Sequence, residues 1–143
     1  MSGKDTRTLA REWILEHIPQ RSRILVEKYV PHLPIEWYTF LVVEKNGKLV
    51  EVDPKEIKNS VFDPPFRQIG KLKNIDAILE KNVEYIVFSN WYDRYLAERE
   101  RSADYAQIVV MYEGIMKMGT KIYEIDPVSG INRGPSIRVY RVD

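Results

Sequence analysis

The sequence predicts a small Rossmann-like α/β sandwich: a mixed sheet with helices packed on it and a β-hairpin near residues 39–52. Three observations carry this. Segments of helical and of strand-like periodicity alternate along the chain, the pattern of helices laid over a sheet. Two strand candidates, Ile24-Leu25-Val26 and Tyr85-Ile86-Val87-Phe88, are unbroken apolar runs, as expected of strands covered on both faces. The final strand candidates, 121–125 and 136–142, are separated only by a turn with Pro127 and Gly130, so they should pair antiparallel beside parallel inner strands. The 143 residues amount to one globular domain, 1–143, with no repeat, linker or low-complexity tract.

From the N-terminus, Leu9, Ala10, Trp13, Ile14, His17 and Ile18 recur at helical spacing with charges between them. Asp5 is placed to cap this helix and Pro19 to end it. The strand 23–27 follows, then an irregular stretch, 29–37, with Pro31 and Pro34. The runs 39–44 and 48–52 flank Asn46-Gly47, which predicts a hairpin with a type I′ turn. Three prolines make 53–70 a loop with at most one helical turn. Asn74 opens a helix with Ile75, Ile78 and Leu79 on one face, leading into the strand 84–89. A helix over 91–99 comes next. Ser102 then caps a longer one through Lys117 with Tyr105, Ile108, Val109, Tyr112, Ile115 and Met116 inward, and Gly119 is expected as its left-handed C-cap.

Composition excludes several classes of function. Lys and Arg total 22 against 21 Asp and Glu, a net charge of +1 that gives no electrostatic case for nucleic acid or an anionic membrane. The absence of cysteine removes disulfides, thiolate metal sites and a Cys nucleophile, and two histidines cannot supply a three-histidine metal site. No apolar run approaches the ~20 residues of a membrane span, and Met1-Ser2-Gly3-Lys4 leads into charge without a signal-peptide core. Phosphate-cradling GxGxxG and GxxxxGK[ST] motifs, HExxH and a GxSxG elbow are all missing, so no cofactor and no metal are expected. His17 reads as a packing histidine on the first helix. His32, in the proline-rich loop, would need an orienting partner to act as a base.

One region is chemically suggestive. Ligands of open α/β sheets gather beyond the carboxyl ends of the strands. If the strands 23–27 and 84–89 are neighbours, Glu27, Lys28 and Tyr29 meet Ser89, Asn90, Tyr92 and Arg94 there. Aromatic rings can stack on sugar faces, while Asn, Glu and Arg can bind hydroxyls or a phosphate. The candidate ligand-binding residues are therefore Glu27, Tyr29, Ser89, Asn90, Tyr92 and Arg94. The alternative is packing: Tyr92 and Tyr95 pin their helix to the sheet and Arg94 pairs with a surface acid.

Several pieces in succession carry a family resemblance: Asp5-Thr6-Arg7, Ala10, Trp13-Ile14, Ile18-Pro19, Arg23-Ile24 and Glu27, then Tyr85-Ile86-Val87, Ser89, Tyr92-Asp93-Arg94-Tyr95, and Gly134-Pro135 with Ile137, Val139 and Tyr140. Together they resemble the C-terminal extramembrane domain of polytopic membrane glycosyltransferases, the protein O-mannosyltransferase-like and 4-amino-4-deoxy-arabinose transferase-like enzymes that use polyprenyl-phosphate sugars. The turn before the first strand usually carries Gly in that family; here it is Gln20-Arg21-Ser22. The resemblance implies a domain on the extracytoplasmic face whose last transmembrane helix ends just before Asp5. The family's catalytic carboxylate lies in an earlier loop with no counterpart here, so no catalytic residue is carried over. The implied role is accessory, positioning an acceptor or bracing the transmembrane part. Its implied partners are that part and a glycan or lipid-linked sugar, and residues 1–4 would be a start outside the folded unit. The rival expectation is a free-standing cytoplasmic α/β binding or interaction domain. A third is a small hydrolase or transferase built on Ser89.

Overall fold

The computed structural model of the chain describes residues 4–65 and 67–143. In chain order the helices are α1 (Thr6–His17), α2 (Ala77–Glu80), α3 (Trp91–Ala97) and α4 (Ala103–Met116). The strands are β1 (Arg23–Leu25), β2 (Leu33–Pro34), β3 (Thr39–Val43), β4 (Leu49–Glu51), β5 (Val61–Phe62), β6 (Tyr85–Phe88), β7 (Gly119–Ile125) and β8 (Ile137–Val142). Six strands form one sheet in the order β4-β3-β1-β6-β8-β7, and β2 and β5 make a separate two-stranded ladder. β1 runs parallel to both β3 and β6, whereas β3–β4, β6–β8 and β7–β8 are antiparallel. The fold is thus the expected mixed α/β sheet with helices packed on it.

Alternation along the strands builds a core on each side of the sheet. Ile24, Val26, Phe40, Val42, Val87 and Val139 pack with Ala10, Ile14 and Ile18 around α1, and with Leu33 and Phe62 of the small ladder. Leu25, Leu41, Val43, Ile86 and Phe88 face the other way, against Ile78, Trp91, Tyr112 and Ile115 of α2, α3 and α4. Each fully buried aliphatic or aromatic side chain contributes about 1.5–3 kcal/mol of transfer free energy. This is why β1 and β6 read as continuous apolar runs: neither face meets water.

Local signals mostly act as their chemistry dictates. The Asp5 carboxylate accepts the Arg7 N–H at 2.8 Å, and Ser102 Oγ accepts the Tyr105 N–H at 3.1 Å, capping α1 and α4. Arg21, in the turn after Pro19, takes φ 74°, a conformation that Gly adopts without penalty. Lys4 pairs with Glu12 at 2.6 Å through exposed side chains, and Met1 to Gly3 lie outside the described residues.

Other expectations are corrected. The β3–β4 hairpin forms, but Gly47 (φ 82°) alone of Asn46-Gly47 takes a positive φ. The Gly47 N–H bonds the Glu44 carbonyl at 2.9 Å and Asn46 Oδ1 accepts from Lys48 N–H, so the loop is a three-residue turn rather than type I′. Leu79 is 56% exposed, because the second helix is only four residues long and turns a single apolar side chain, Ile78, fully inward. Gly119 does not cap α4. It opens β7 at a point where a Cβ would collide with the Arg141 carbonyl, so its small size serves strand pairing. The loops 29–37 and 53–70 contribute β2 and β5, which pair with each other because Leu33 and Phe62 both have core to cover.

The topology brings widely separated segments to one edge. β8 is antiparallel to β6, with Phe88 opposite Arg138, so the start of β8 lies at the carboxyl end of β6. The loop leading into β8 clasps the first turn of α1. Thr6 N–H donates to the Arg133 carbonyl at 2.7 Å and Thr6 Oγ1 to the Pro135 carbonyl at 2.5 Å. Thr6 is fully buried, and Gly134 between those carbonyls has φ 109° with Asp5 and Thr6 against it.

Candidate functional site

The carboxyl edge of β1 and β6 places Glu27 beside Ser89, because the two strands are hydrogen-bonded neighbours. Glu27 is only 1% exposed. Its Oε1 accepts the Ile69 N–H at 2.9 Å and the Tyr112 hydroxyl at 2.7 Å, while Oε2 accepts the Ser89 N–H at 2.8 Å. One carboxylate thus joins the β1 end, the turn at 69–71, the β6 end and α4. Burial pushes its pKa up to about 7, against the downward pull of these donors. The Ser89 hydroxyl has one hydrogen to give. It donates to the Lys28 carbonyl at 2.9 Å, which leaves Oγ, 3.3 Å from Oε2, able to accept the proton of a neutral Glu27.

This arrangement accounts for two candidate residues as a buried node rather than a reacting pair. Ser89 is fully buried and its hydroxyl hydrogen is engaged, so a nucleophilic role has no approach path for substrate. Gly70, beside the node, has no room for a Cβ because the Tyr112 ring lies against it.

The other candidates divide. Tyr29 follows the node in a left-handed conformation, φ 77°, unusual for a bulky side chain, and its ring stacks on Trp91 at 5.7 Å. The Arg94 guanidinium lies over the other partner of that stack, 5.1 Å from the Trp91 ring centre. Tyr92 turns away. Its hydroxyl donates to Glu113 Oε2 at 3.0 Å and its ring meets Tyr112 at 5.8 Å, the packing role. Burial first, and Glu113 second, hold the Tyr92 phenol above its usual range. Asn90 is half-buried and its Oδ1 has no donor among the described residues.

Arg94 makes no ion pair among the described residues, contrary to the surface-acid alternative, which Asp93 takes up instead. Asp93 accepts two hydrogen bonds from Arg138, at 3.0 and 3.1 Å, and Arg138 also donates to Glu124, tying α3 to β8 and β7. Beside Arg94 opens a pocket of about 490 Å³ lined by Trp91, Arg94, Tyr95, Ala97, Glu98 and Tyr105. The Tyr95 and Tyr105 rings meet edge to face at 5.1 Å. Tyr105 and Trp91, which line this pocket, are not among the candidates the sequence offered. Both belong to runs with evident packing roles, and only the α3–α4 contact brings them to one cavity.

On the α1 side of the same edge, a groove of about 520 Å³ is lined by Asp5, Arg7, Thr8, Arg11, Val30, Pro31, His32 and Val61. Its cations are engaged: Arg7 pairs with Asp5 at 3.1 Å and Arg11 donates to the His32 carbonyl at 2.9 Å. The Arg7 hydrogen bonds hold the Asp5 carboxyl below the usual carboxylate range. His32 Nε2 stands 3.2 Å from Asp63, which Lys28 also contacts at 3.0 Å, so the exposed imidazole has a carboxylate partner. His17 is exposed rather than inward, yet satisfied. Its ring stacks on Trp13 at 4.4 Å and Nδ1 donates to the Trp13 carbonyl at 2.8 Å.

Among the described residues no group of three or more His, Asp or Glu is placed to hold a metal ion, and no helix is long and apolar enough to cross a membrane. Comparison of the chain with protein-family models, with curated proteins and with solved structures returned no match.

Proposed function

We propose that this chain acts as a non-catalytic, extracytoplasmic accessory domain of a membrane glycosyltransferase, presenting its carboxyl edge to the membrane-embedded part. The observation that carries the reading is the clasp at that edge. The segments Asp5-Thr6-Arg7 and Gly134-Pro135, both among those that carry the family resemblance, lie against each other although more than 120 residues separate them, with |i−j| = 129 for Thr6 and Pro135.

The edge also has the character of a contact surface. Val128 and Ile131, at 50% and 56% exposure, project from the loop that ends in the clasp, with Arg133 beside them. Apolar side chains at a loop tip next to a cation suit the boundary between water and lipid or a membrane protein. The closed Glu27–Ser89 node points to a scaffold for binding rather than for bond cleavage. Acceptor positioning or bracing of the transmembrane part is the role this reading gives that edge.

The test is the size and location of the native gene product, detected with an antibody to this domain in membrane and soluble fractions. A membrane-bound product several times larger than 16.9 kDa supports the proposal. A soluble product near 16.9 kDa overturns it and leaves a free-standing binding domain.

A further inference from the structure

The pocket between α3 and α4 has the chemistry of a ligand site in its own right. Three aromatic residues, Trp91, Tyr95 and Tyr105, line it; Trp91 is buried beneath Tyr29 and Arg94, so the half-buried Tyr95 and Tyr105 supply the flat apolar faces of the kind that stack on the C–H face of a sugar ring. Arg94 supplies an exposed guanidinium without a carboxylate partner among the described residues, lying over the Trp91 ring. Glu98, also on the wall, supplies a carboxylate whose one ion pair among the described residues is a long contact of 3.7 Å to exposed Arg101. A carboxylate accepts hydrogen bonds from hydroxyls, and a guanidinium grips an oxyanion.

The backbone around the pocket is invested in this geometry. Tyr29 adopts its left-handed φ of 77° one step beyond Glu27-Lys28, and that conformation delivers its ring onto Trp91. The Glu27 node holds the Ser89 N–H, two residues before Trp91, so the start of α3 is fixed from below. A strained residue and a buried acid thus both brace the wall that carries Arg94. The competing groove beside α1 offers no comparable cation, since Arg7 and Arg11 are spent on Asp5 and the His32 carbonyl.

We infer that the Trp91–Arg94–Tyr95–Tyr105 pocket binds a hydroxylated six-membered ring carrying a phosphate. The ring stacks on the aromatic wall, Glu98 accepts from its hydroxyls, and Arg94 holds the phosphate. Two sources share that chemistry, a soluble sugar phosphate and a phosphorylated ring displayed by a lipid. The inference deepens the accessory-domain reading and rests on it for the role of the site in the parent protein. Binding by the purified chain and the size of the native product are separate measurements, so either can fail alone.

The test is an amide NMR titration of the full 143-residue chain with glucose 1-phosphate, and separately with vesicles of phosphatidylinositol in phosphatidylcholine. Methyl glucoside, inorganic phosphate and pure phosphatidylcholine vesicles serve as controls. The expected result is shifts or broadening confined to residues around 91–105, with affinity about tenfold above that for either methyl glucoside or inorganic phosphate. Response to glucose 1-phosphate assigns the soluble source, and response to the inositol vesicles alone assigns the lipid-borne one. Arg94→Ala should weaken binding about tenfold with an unchanged melting temperature, whereas Tyr105→Phe, which keeps the stacking ring, should bind as the parent does. No response to either probe, equal affinity for inorganic phosphate, or an Arg94→Ala chain that binds as well as the parent overturns the inference.

Discussion

Glu27 and Arg94 belong to the same edge of the sheet, one just beyond β1 and the other one helical turn beyond β6, yet their surroundings are opposite. Glu27 is wrapped by the chain itself, with donors from Ile69, Ser89 and Tyr112 converging on its two oxygens. Arg94 is exposed, stacked on an aromatic wall and without a carboxylate of its own among the described residues. The difference separates what a polar group does for the fold from what it can do for a ligand. A group whose valences are filled internally registers in stability when altered. One left open to solvent registers in binding.

The largest test of that contrast removes the node. Glu27→Ala leaves three donors facing a cavity and should lower the unfolding free energy by about 4 kcal/mol in urea titrations, where an unpaired buried donor alone is worth about 1–3 kcal/mol. A loss below about 1 kcal/mol would show that the node is dispensable.

Next comes its pH dependence. Glu27 has a raised pKa in the folded chain, so the folded state binds the proton more tightly than the unfolded one. The stability this provides is complete below about 4.5, the ordinary glutamate value, and is lost as pH rises through about 7. Across that window the loss should approach about 3 kcal/mol, and Glu27→Gln should flatten the slope whatever its own stability. A wild-type profile already flat from pH 4.5 to 7 would contradict a neutral buried acid.

Closed and open positions can also be compared between two glycines of one loop. Gly134 (φ 109°) is hemmed in by Asp5 and Thr6, whereas at Gly130 (φ 80°) a Cβ would meet nothing within 4 Å. Gly134→Ala should destabilise by about 2–3 kcal/mol and Gly130→Ala by about 1 kcal/mol, the latter from φ alone. Equal effects in thermal melts would mean that the clasp yields at little expense. Arg21→Gly, which relieves the left-handed φ in the turn before β1, should stabilise by about 0.5 kcal/mol, the small difference between relieved strain and glycine's greater unfolded-state entropy. Arg94→Ala should change stability least, by less than about 0.5 kcal/mol, as befits a side chain open to solvent.

The sheet was legible because its signals are local. Apolar runs at β1 and β6, caps at Asp5 and Ser102, and the Asn46-Gly47 turn each depend on a few adjacent residues. The convergence of Glu27 with Ser89 was legible too, given parallel neighbouring strands. Tyr112 was visible as an inward residue of α4, but its hydroxyl reaches Glu27 across 85 positions, and nothing local reports that bond. Tyr92 illustrates the opposite failure. Its neighbour Asp93 is claimed by Arg138 and its own hydroxyl by Glu113, partners 45 and 21 positions away that turn the phenol from the edge. Arg21 shows a third kind of gap: a positive φ without Gly leaves no mark in composition, only in the geometry of the turn.

The clasp at Thr6 has a mechanical consequence. Its two hydrogen bonds join the first turn of α1 to the lead-in of β8, which lies between β6 and β7 inside the sheet. A pull applied at residue 5 is therefore not taken up by peeling one helix from the surface. It is shared, through the Arg133 and Pro135 carbonyls, with the lead-in of a strand held along both flanks.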